Sequence, residues 1–407
     1  MSEIVITGGG VAAASVAQTL RAEGYDGEIH LYAEEPHSPY QRPPLSKGYL
    51  SGTEGADAVV LHSDAWYAEH DIEVYPHTHI ISIDREAHAA VLFGGNAARY
   101  DQLVLATGSS PRSLGIPGAD LPGVHALRRL ADADALGPLL RAGGHNVVVI
   151  GGGWIGMEVA AVARAHGNEV TVLCRGSAPL ASALGGEMGR VFQRLHEDHG
   201  TRVVTGITAD HIEGEDHVTA VLAGGERFPA DLVIAGVGAR PNTALAEAAG
   251  IETDRGILTD ASFRTSDPAI FAVGDVANPM HATLGRRLRS EHWAFALDSG
   301  RAAARAMLGQ PAVFDWLPFF YSDQFDLGME LSGIAPLMTG AEVVTRGDVG
   351  AREFIAFWLQ GGAVVGGMNV NVWDVNEQVQ ALIRAGGPVD RAALADLNVP
   401  LGSLVAA

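Results

Sequence analysis

Hydrophobic residues along this chain fall into two kinds of run, and their alternation sets the expected fold. Short β-branched runs, "EIVIT" at 3–7 and "NVVVI" at 146–150, each give way to a glycine turn. An alanine-rich stretch with apolar positions at helical spacing follows each turn. The first pattern predicts a strand over 4–7, a helix over 11–22 and a strand over 28–33, and the second predicts another βαβ unit over about 146–173. Three further apolar runs read as strands that end in glycine turns: "YDQLVLATG", "FPADLVIAGVG" and "DPAIFAVGD". "EEPHSPYQRPPLSKGYL" has neither period. Beyond residue 318 the pattern changes to alternating stretches such as "FIAFWL" and "AVVGGMNV", which predict antiparallel strands closed by short helices.

The order of these elements predicts an α/β protein with two Rossmann-like dinucleotide-binding domains, the second inserted in the first, plus a C-terminal α+β domain. The expected boundaries are 1–112 and 241–317 for the two parts of the first domain, 113–240 for the inserted one and 318–407 for the last. The repeat is one of architecture, without a solenoid period. A length of 407 residues suits several domains, and 47% hydrophobic residues can bury a sizeable core.

Charge narrows the function. With 27 Lys+Arg against 48 Asp+Glu the net charge is −21, which argues against sequence-independent binding to nucleic acid or anionic membrane. No apolar run reaches the roughly 18 residues of a membrane span. Strand-like sequence begins at Glu3, leaving no room for a signal peptide, so a cytoplasmic location is expected. Cys174 is the only cysteine, which excludes an internal disulfide, a CxxC pair and a cysteine-based metal cluster.

The two turns carry the chemistry. In G-x-G-x-x-G/A after a strand, the first glycine makes the turn, the second lets backbone approach a pyrophosphate, and the third allows close helix–strand packing. Here they are Gly8, Gly10 and Ala13, then Gly151, Gly153 and Gly156. The helix N-terminus behind each offers N–H groups to phosphate. Two matches in strand–turn–helix context point to two dinucleotides. An acid ending the next strand would bind a ribose; Glu34 or Glu35 supplies it in the first unit, whereas Cys174 and Arg175 occupy that place in the second.

With both fingerprints, "LATGSSP", "VGDVA" and "YQRPPLSKGYL" in order, the chain resembles the FAD-dependent NAD(P)H:ferredoxin reductases of oxygenase systems, over essentially its full length. The resemblance implies a glutathione-reductase-like fold, with FAD in the first unit and NADH or NADPH in the inserted one. It implies FAD contacts at Ala12, Glu34, Arg42, Lys47, Ile80, Arg128, Asp275 and Trp293. Thr107, Gly108 and Gly274 belong to the same motifs, and Ile155 and Gly238 to those of the nicotinamide unit. It further implies that Lys47 sits beside the isoalloxazine paired with Glu158 of "IGME", both acting in catalysis. The family's "WFWSDQ" is "FFYSDQ" here, so Tyr321 stands for a tryptophan that shields the flavin.

The activity implied is hydride transfer from NAD(P)H to FAD, then single-electron transfer to a two-iron ferredoxin serving an oxygenase. A flavin disulfide reductase or NADH oxidase would need a redox cysteine in or just after the first βαβ unit, where this chain reads "PPLSKGYL". A redox-sensing flavoprotein of apoptosis-inducing-factor type is the alternative from another class. Because a two-iron ferredoxin is acidic, a basic docking face is expected, and Arg286, Arg287, Arg289, Arg301 and Arg305 supply candidates within 285–305.

Overall fold

The computed structural model describes residues 2–405. The chain forms two compact units, one of Met1–Pro43, Ala56–Ser110 and Ala239–Trp316, the other of Pro44–Gly55, Pro111–Gly238 and everything from Leu317 on.

The first unit is built on a five-stranded parallel sheet, in the spatial order Ile270–Ala272, Gln102–Leu105, Glu3–Thr7, Glu28–Tyr32 and Ile72–Tyr75. Its central strand pairs Val5 with His30 on one side and with Leu103 on the other. Ile4, Val5 and Ile6 are buried on both faces, as the unbroken apolar run requires of a central parallel strand. The helix Val11–Ala22 follows the glycine turn and packs on the helix Trp293–Met307. Small side chains permit that contact. A Cβ on Gly300 would stand 2.7 Å from the Ala12 carbonyl oxygen and 2.7 Å from Ser15 Cβ. Ser15 Oγ donates to the Leu297 carbonyl at 2.6 Å, fixing the two helices in register. An antiparallel meander over Ile80–Asp84, Ala89–Leu92 and Ala97–Arg99 belongs to the same unit.

The second unit repeats the plan. Its parallel sheet runs in the order Arg202–Thr205, Glu169–Cys174, Asn146–Ile150, Leu232–Ala235 and Val124–His125. A three-stranded meander, Ala209–Gly214, Val218–Ala223 and Glu226–Pro229, closes over it, and Val148, Ile150, Val221, Phe228 and Val233 share one core. From Phe319 onward an antiparallel sheet takes the order 319–324, 327–333, 363–370, 353–360 and 342–348. The amphipathic helix Asn376–Ala385 buries Val379 and Leu382 against Phe357 and Val364.

The segment 44–55, expected in the first domain, groups with the second unit. Its anchors are polar and specific. Arg141 Nη1 donates to the Leu50 carbonyl at 2.8 Å, and the Tyr49 hydroxyl donates to Asp134 at 2.6 Å. His166 Nε2 lies 3.1 Å from the Ser51 carbonyl. A proline-rich stretch without period carries no sign of such partners in its own sequence.

The helix–helix contact around Gly300 yields a prediction. Alanine there gains about 1 kcal/mol of helix propensity. Its methyl group meets a backbone oxygen that can yield only if a whole helix moves, and overpacking of that kind costs about 1–3 kcal/mol. Gly300→Ala therefore lowers the unfolding temperature in a thermal scan of the holoprotein.

Candidate functional site

The two glycine turns place two helix starts in similar settings, one per unit. Gly8 has φ +134° and Gly151 φ +114°, and a Cβ on either would strike a backbone oxygen, of Ala106 at 2.1 Å or Gly236 at 2.3 Å. Those glycines are required by the close passage of the neighbouring strand ends. Gly156 is required by packing, since its Cβ would meet the Gly151 oxygen at 2.3 Å; Ala13 fills the corresponding place in the first turn, fully buried.

The middle glycines are different. Gly10 (φ −114°) and Gly153 (φ −84°) have backbone conformations open to any residue. A Cβ on Gly10 would meet nothing within 4 Å, and one on Gly153 only the Gly236 oxygen at 3.9 Å. Neither conformation nor internal packing explains them. Each is also the N-cap of its helix, and neither helix has a side-chain cap. Ser, Asp or Asn there would satisfy the helix N–H groups; glycine leaves them to a ligand and leaves room for it. Uncapped N–H groups facing open space suit an anion such as a pyrophosphate.

Several of the other residues expected around a flavin in the first unit are held by local hydrogen bonds. Asp275, buried in the turn after Ile270–Ala272, accepts from Ser109 Oγ at 2.7 Å. Gly274 N–H donates to Ser299 Oγ at 3.0 Å. Thr107 Oγ1 donates to the Asn242 carbonyl at 2.9 Å, the Asn242 amide returns a bond to the Thr107 carbonyl at 2.8 Å, and Asn242 N–H donates to the Gly108 carbonyl at 2.9 Å. Glu35 accepts from Tyr40 (2.6 Å) and pairs with Arg42 (3.0 Å), whereas Glu34 is exposed beside it, so Glu34 presents the more accessible carboxylate. Ile80 is buried at the start of its strand. Trp293 Nε1 is a buried donor without a protein acceptor, which fits an absent ligand atom.

Lys47, Arg128 and Tyr321 belong to the second unit. The Arg128 N–H donates to Asp132 Oδ2 at 2.9 Å, just ahead of the helix Leu130–Ala142. Lys47 Nζ donates to Glu158 Oε1 at 2.6 Å. Glu158 is 2% exposed, on the helix Trp154–Ala165, and accepts also from Ser46 Oγ and from Ser322 Oγ (2.7 Å). The Lys47 ammonium lies 5.5 Å from the Tyr321 ring centroid, and burial raises that phenol's pKa. Sequence reasoning missed Ser46 and Ser322, although each adjoins a residue it singled out. It also missed a compositional signal: Lys47 is the only lysine, every other basic Lys/Arg residue being arginine.

In the second unit, where the nicotinamide dinucleotide is expected, Ile155 is exposed at the helix start, and Gly238 has φ +97° and accepts from the Arg112 N–H at 2.9 Å. Cys174 ends its strand buried, and burial pushes its thiol up to about 11, far from the thiolate that redox exchange requires. Its Sγ lies where a Cβ on Gly152 would fall, so it fills space under the turn, whereas the neighbouring Arg175 is exposed.

The basic face expected over 285–305 is largely occupied internally. Arg287 donates to the carbonyls of Thr259 (2.9 Å) and Asn278 (2.6 Å). Arg289 pairs with Glu291 (2.6 Å), Arg301 with Asp298 (3.2 Å) and Arg305 with Glu23 (2.9 Å), an acid from a distant segment. Arg286 remains exposed. Among the described residues no helix is long and apolar enough to cross a membrane.

Two Gly-turn helix starts, each facing open space, with a half-buried lysine on a buried glutamate and no cysteine fit for redox chemistry, define a two-dinucleotide flavin oxidoreductase. Residues 2–300 match the family described as pyridine nucleotide-disulphide oxidoreductase, and residues 319–405 match the reductase C-terminal family. Putidaredoxin reductase of Pseudomonas putida is 36% identical over 99% of this chain and 97% of its own. The biphenyl dioxygenase system ferredoxin–NAD(+) reductase component of Paraburkholderia xenovorans is 35% identical over 99% and 98%. The crystal structure of a ferredoxin reductase from Rhodopseudomonas palustris superposes with a TM-score of 0.95 at 36% identity, covering 100% of both chains. The chain belongs to the FAD-dependent NAD(P)H:ferredoxin reductases of oxygenase systems. Its cofactors are FAD and NAD(P)H.

One buried and one partly buried imidazole tie the stability of the fold to acid. Burial pulls His196 from 6.5 down to about 4, with His199 adding to the fall and a Gln324 hydrogen bond opposing it. Burial does the same to His292, also to about 4, against the pull of Asp275. A folded value below the unfolded one means that the unfolded chain takes the proton first. The neutral forms thus favour the fold fully above the ordinary range, and this is lost as pH falls toward 4, at up to about 3 kcal/mol per site. The unfolding temperature drops steeply between pH 6.5 and 4, and His196→Gln, whose amide does not titrate, makes the drop shallower in scanning calorimetry.

Proposed function

We propose that this protein carries reducing equivalents from NAD(P)H, through FAD held by the first unit, to a two-iron ferredoxin that serves an oxygenase. The reaction is placed in the cytoplasm, where NAD(P)H is made. The observation that carries the reading is the pair of middle glycines, Gly10 and Gly153, one per unit, which neither conformation nor packing explains. Two dinucleotides, one for each uncapped helix, account for both. The names of the relatives supply the acceptor class: putidaredoxin reductase and a dioxygenase ferredoxin–NAD(+) reductase component.

FAD, when bound, supplies the conversion of a two-electron donor into one-electron steps. The chain's own residues bind and orient. The helix Val11–Ala22 receives the FAD pyrophosphate at the N–H groups behind Gly10, Glu34 its ribose, and Asp275 the ribityl chain. Asp275 is pre-oriented by the Ser109 hydroxyl. Trp293 Nε1 donates to the flavin. Lys47 would supply the cation that favours the reduced flavin, and Glu158 holds its ammonium. The helix Trp154–Ala165 receives the NAD(P)H pyrophosphate behind Gly153.

Stopped-flow mixing with NADH and NADPH, followed by turnover with a two-iron ferredoxin, tests this reading. The expected result is flavin reduction by both donors and multiple-turnover ferredoxin reduction. Ferredoxin left oxidised beside a slowly reoxidised flavin would instead favour a redox-sensing role. Asp275→Ala lowers the FAD content of the purified protein severalfold, and stoichiometric FAD in that variant would remove Asp275 from the binding set. Arg175→Glu shifts the NADPH/NADH ratio of reduction rates toward NADH by about tenfold, because a carboxylate accepts from the ribose 2′-OH and repels the 2′-phosphate. An unchanged ratio would mean that the ribose is read elsewhere.

A further inference from the structure

Glu158 lies at the end of a buried chain of polar side chains. Ser322 Oγ donates to Glu158 Oε1 at 2.7 Å, Gln324 Nε2 donates to Ser322 Oγ at 3.1 Å, and His196 Nε2 stands 3.0 Å from Gln324 Oε1. His196 and Ser322 are fully buried, and Gln324 is 1% exposed. The direction of every bond follows from its carboxylate end. A carboxylate can only accept, so Ser322 spends its single proton there and must accept from Gln324. That turns the Gln324 amide nitrogen toward Ser322 and its oxygen toward His196, which fixes the proton on His196 Nε2. The imidazole left neutral by burial is the form that can hold this tautomer, and its Nδ1 has no partner at all. All the donors point one way, toward Glu158.

The chain does more than the fold needs. Asp323, between the two relay residues, is exposed, as strand alternation dictates. The inward positions could hold apolar side chains, as Phe354 and Phe357 do in the same sheet. A buried polar series of this length is costly, the more so for the unpartnered His196 Nδ1 at its far end, and its paired atoms fix one geometry.

We propose that Ser322, backed by Gln324 and His196, is a positioning residue that holds Glu158 against Lys47 and so sets where the protein's only ammonium side chain stands. The proposal rests on the reading that Lys47 and Glu158 act beside the flavin. The relay acts through the carboxylate: Oε2 is taken by Ser46, and Oε1 is shared by Lys47 and Ser322. Without the Ser322 donor the carboxylate can rotate and release the lysine.

The single lysine makes this directly measurable. In the holoprotein, acetylation of the Lys47 side chain by an N-hydroxysuccinimide ester, followed by peptide mass mapping, reports how firmly the amine is held, since no other side-chain amine competes. Ser322→Ala and Gln324→Leu should each raise the labelling rate severalfold. Ser322→Cys, which restores a weaker donor at the same place, should give an intermediate rate. In stopped flow the limiting rate of flavin reduction should fall severalfold in Ser322→Ala with an unchanged half-saturating NADH concentration, and Ser322→Ala should add nothing in a Lys47→Met background. Labelling at the wild-type rate in both Ser322→Ala and Gln324→Leu, with Lys47→Met slow in flavin reduction, would overturn the relay and leave the role of the lysine standing. Faster labelling together with wild-type flavin reduction by Lys47→Met would uphold the relay and overturn the flavin-side role. If Gln324→Leu fails to fold, Gln324→Met, closer in shape, takes its place with the same expected rate.

Discussion

One buried negative charge organises the second unit. Glu158, 2% exposed on the helix behind the nicotinamide turn, could not stay there without donors, because removing a partner from a buried ion pair costs about 3–5 kcal/mol. Its partners come from far along the chain: Lys47 lies 111 residues before it and Ser322 164 residues after. Satisfying the carboxylate therefore requires the proline-rich segment 44–55 to leave the span of the first unit, and the first strand of the C-terminal sheet to meet the fingerprint helix. Trp154 at the start of that helix stacks obliquely on Phe320 at 4.6 Å, so an apolar contact flanks the polar one. Packing brings the elements together, and the charge selects which arrangement of them is acceptable.

The two dinucleotide turns show how one motif serves two packing problems. Both strand-end glycines exist because a backbone oxygen passes within van der Waals contact of where a side chain would begin. At the third position Gly156 cannot be replaced for the same reason, whereas the first turn accommodates the Ala13 methyl group. The first helix takes up its closeness elsewhere, against Gly300. The middle glycines are those that the protein's own conformation and packing do not need, and this separation is what the structure adds to the fingerprint.

Much of this was legible in the sequence. The strand–turn–helix order depends on local periodicity, and the helix over 11–22 and the strand over 146–150 fall where the pattern places them. The Lys47–Glu158 pair was legible only through family motifs, since nothing local says that two residues 111 positions apart meet. Ser322, Gln324 and His196 were not legible, because a strand's alternation tells which side chains point inward and says nothing of which distant polar group they will meet. The pairing of the arginines over 285–305 was hidden for a related reason. Counting charge along a segment includes Glu291 and Asp298 and omits Glu23, which arrives from the opposite end of the unit to take Arg305. Cys174 was aligned with a ribose acid by its place at the strand end, but a buried side chain there packs beneath the turn.

The interleaving of the two units has a consequence for synthesis on the ribosome. Neither unit is continuous: the first needs residues up to Trp316, and the second needs residues beyond Leu317 as well as the early segment Pro44–Gly55. A nascent chain that has just exposed the Glu158 helix carries a carboxylate destined for burial whose Ser322 donor has not yet been made. The first sheet takes an edge strand, Ile270–Ala272, from beyond the whole of the second sheet, and non-local pairing of this kind folds slowly and leaves a sheet edge open meanwhile. The first dinucleotide sheet thus waits for Ile270–Ala272, made after every strand of the second, and the Glu158 carboxylate waits longer still, for the Ser322 donor of the C-terminal sheet.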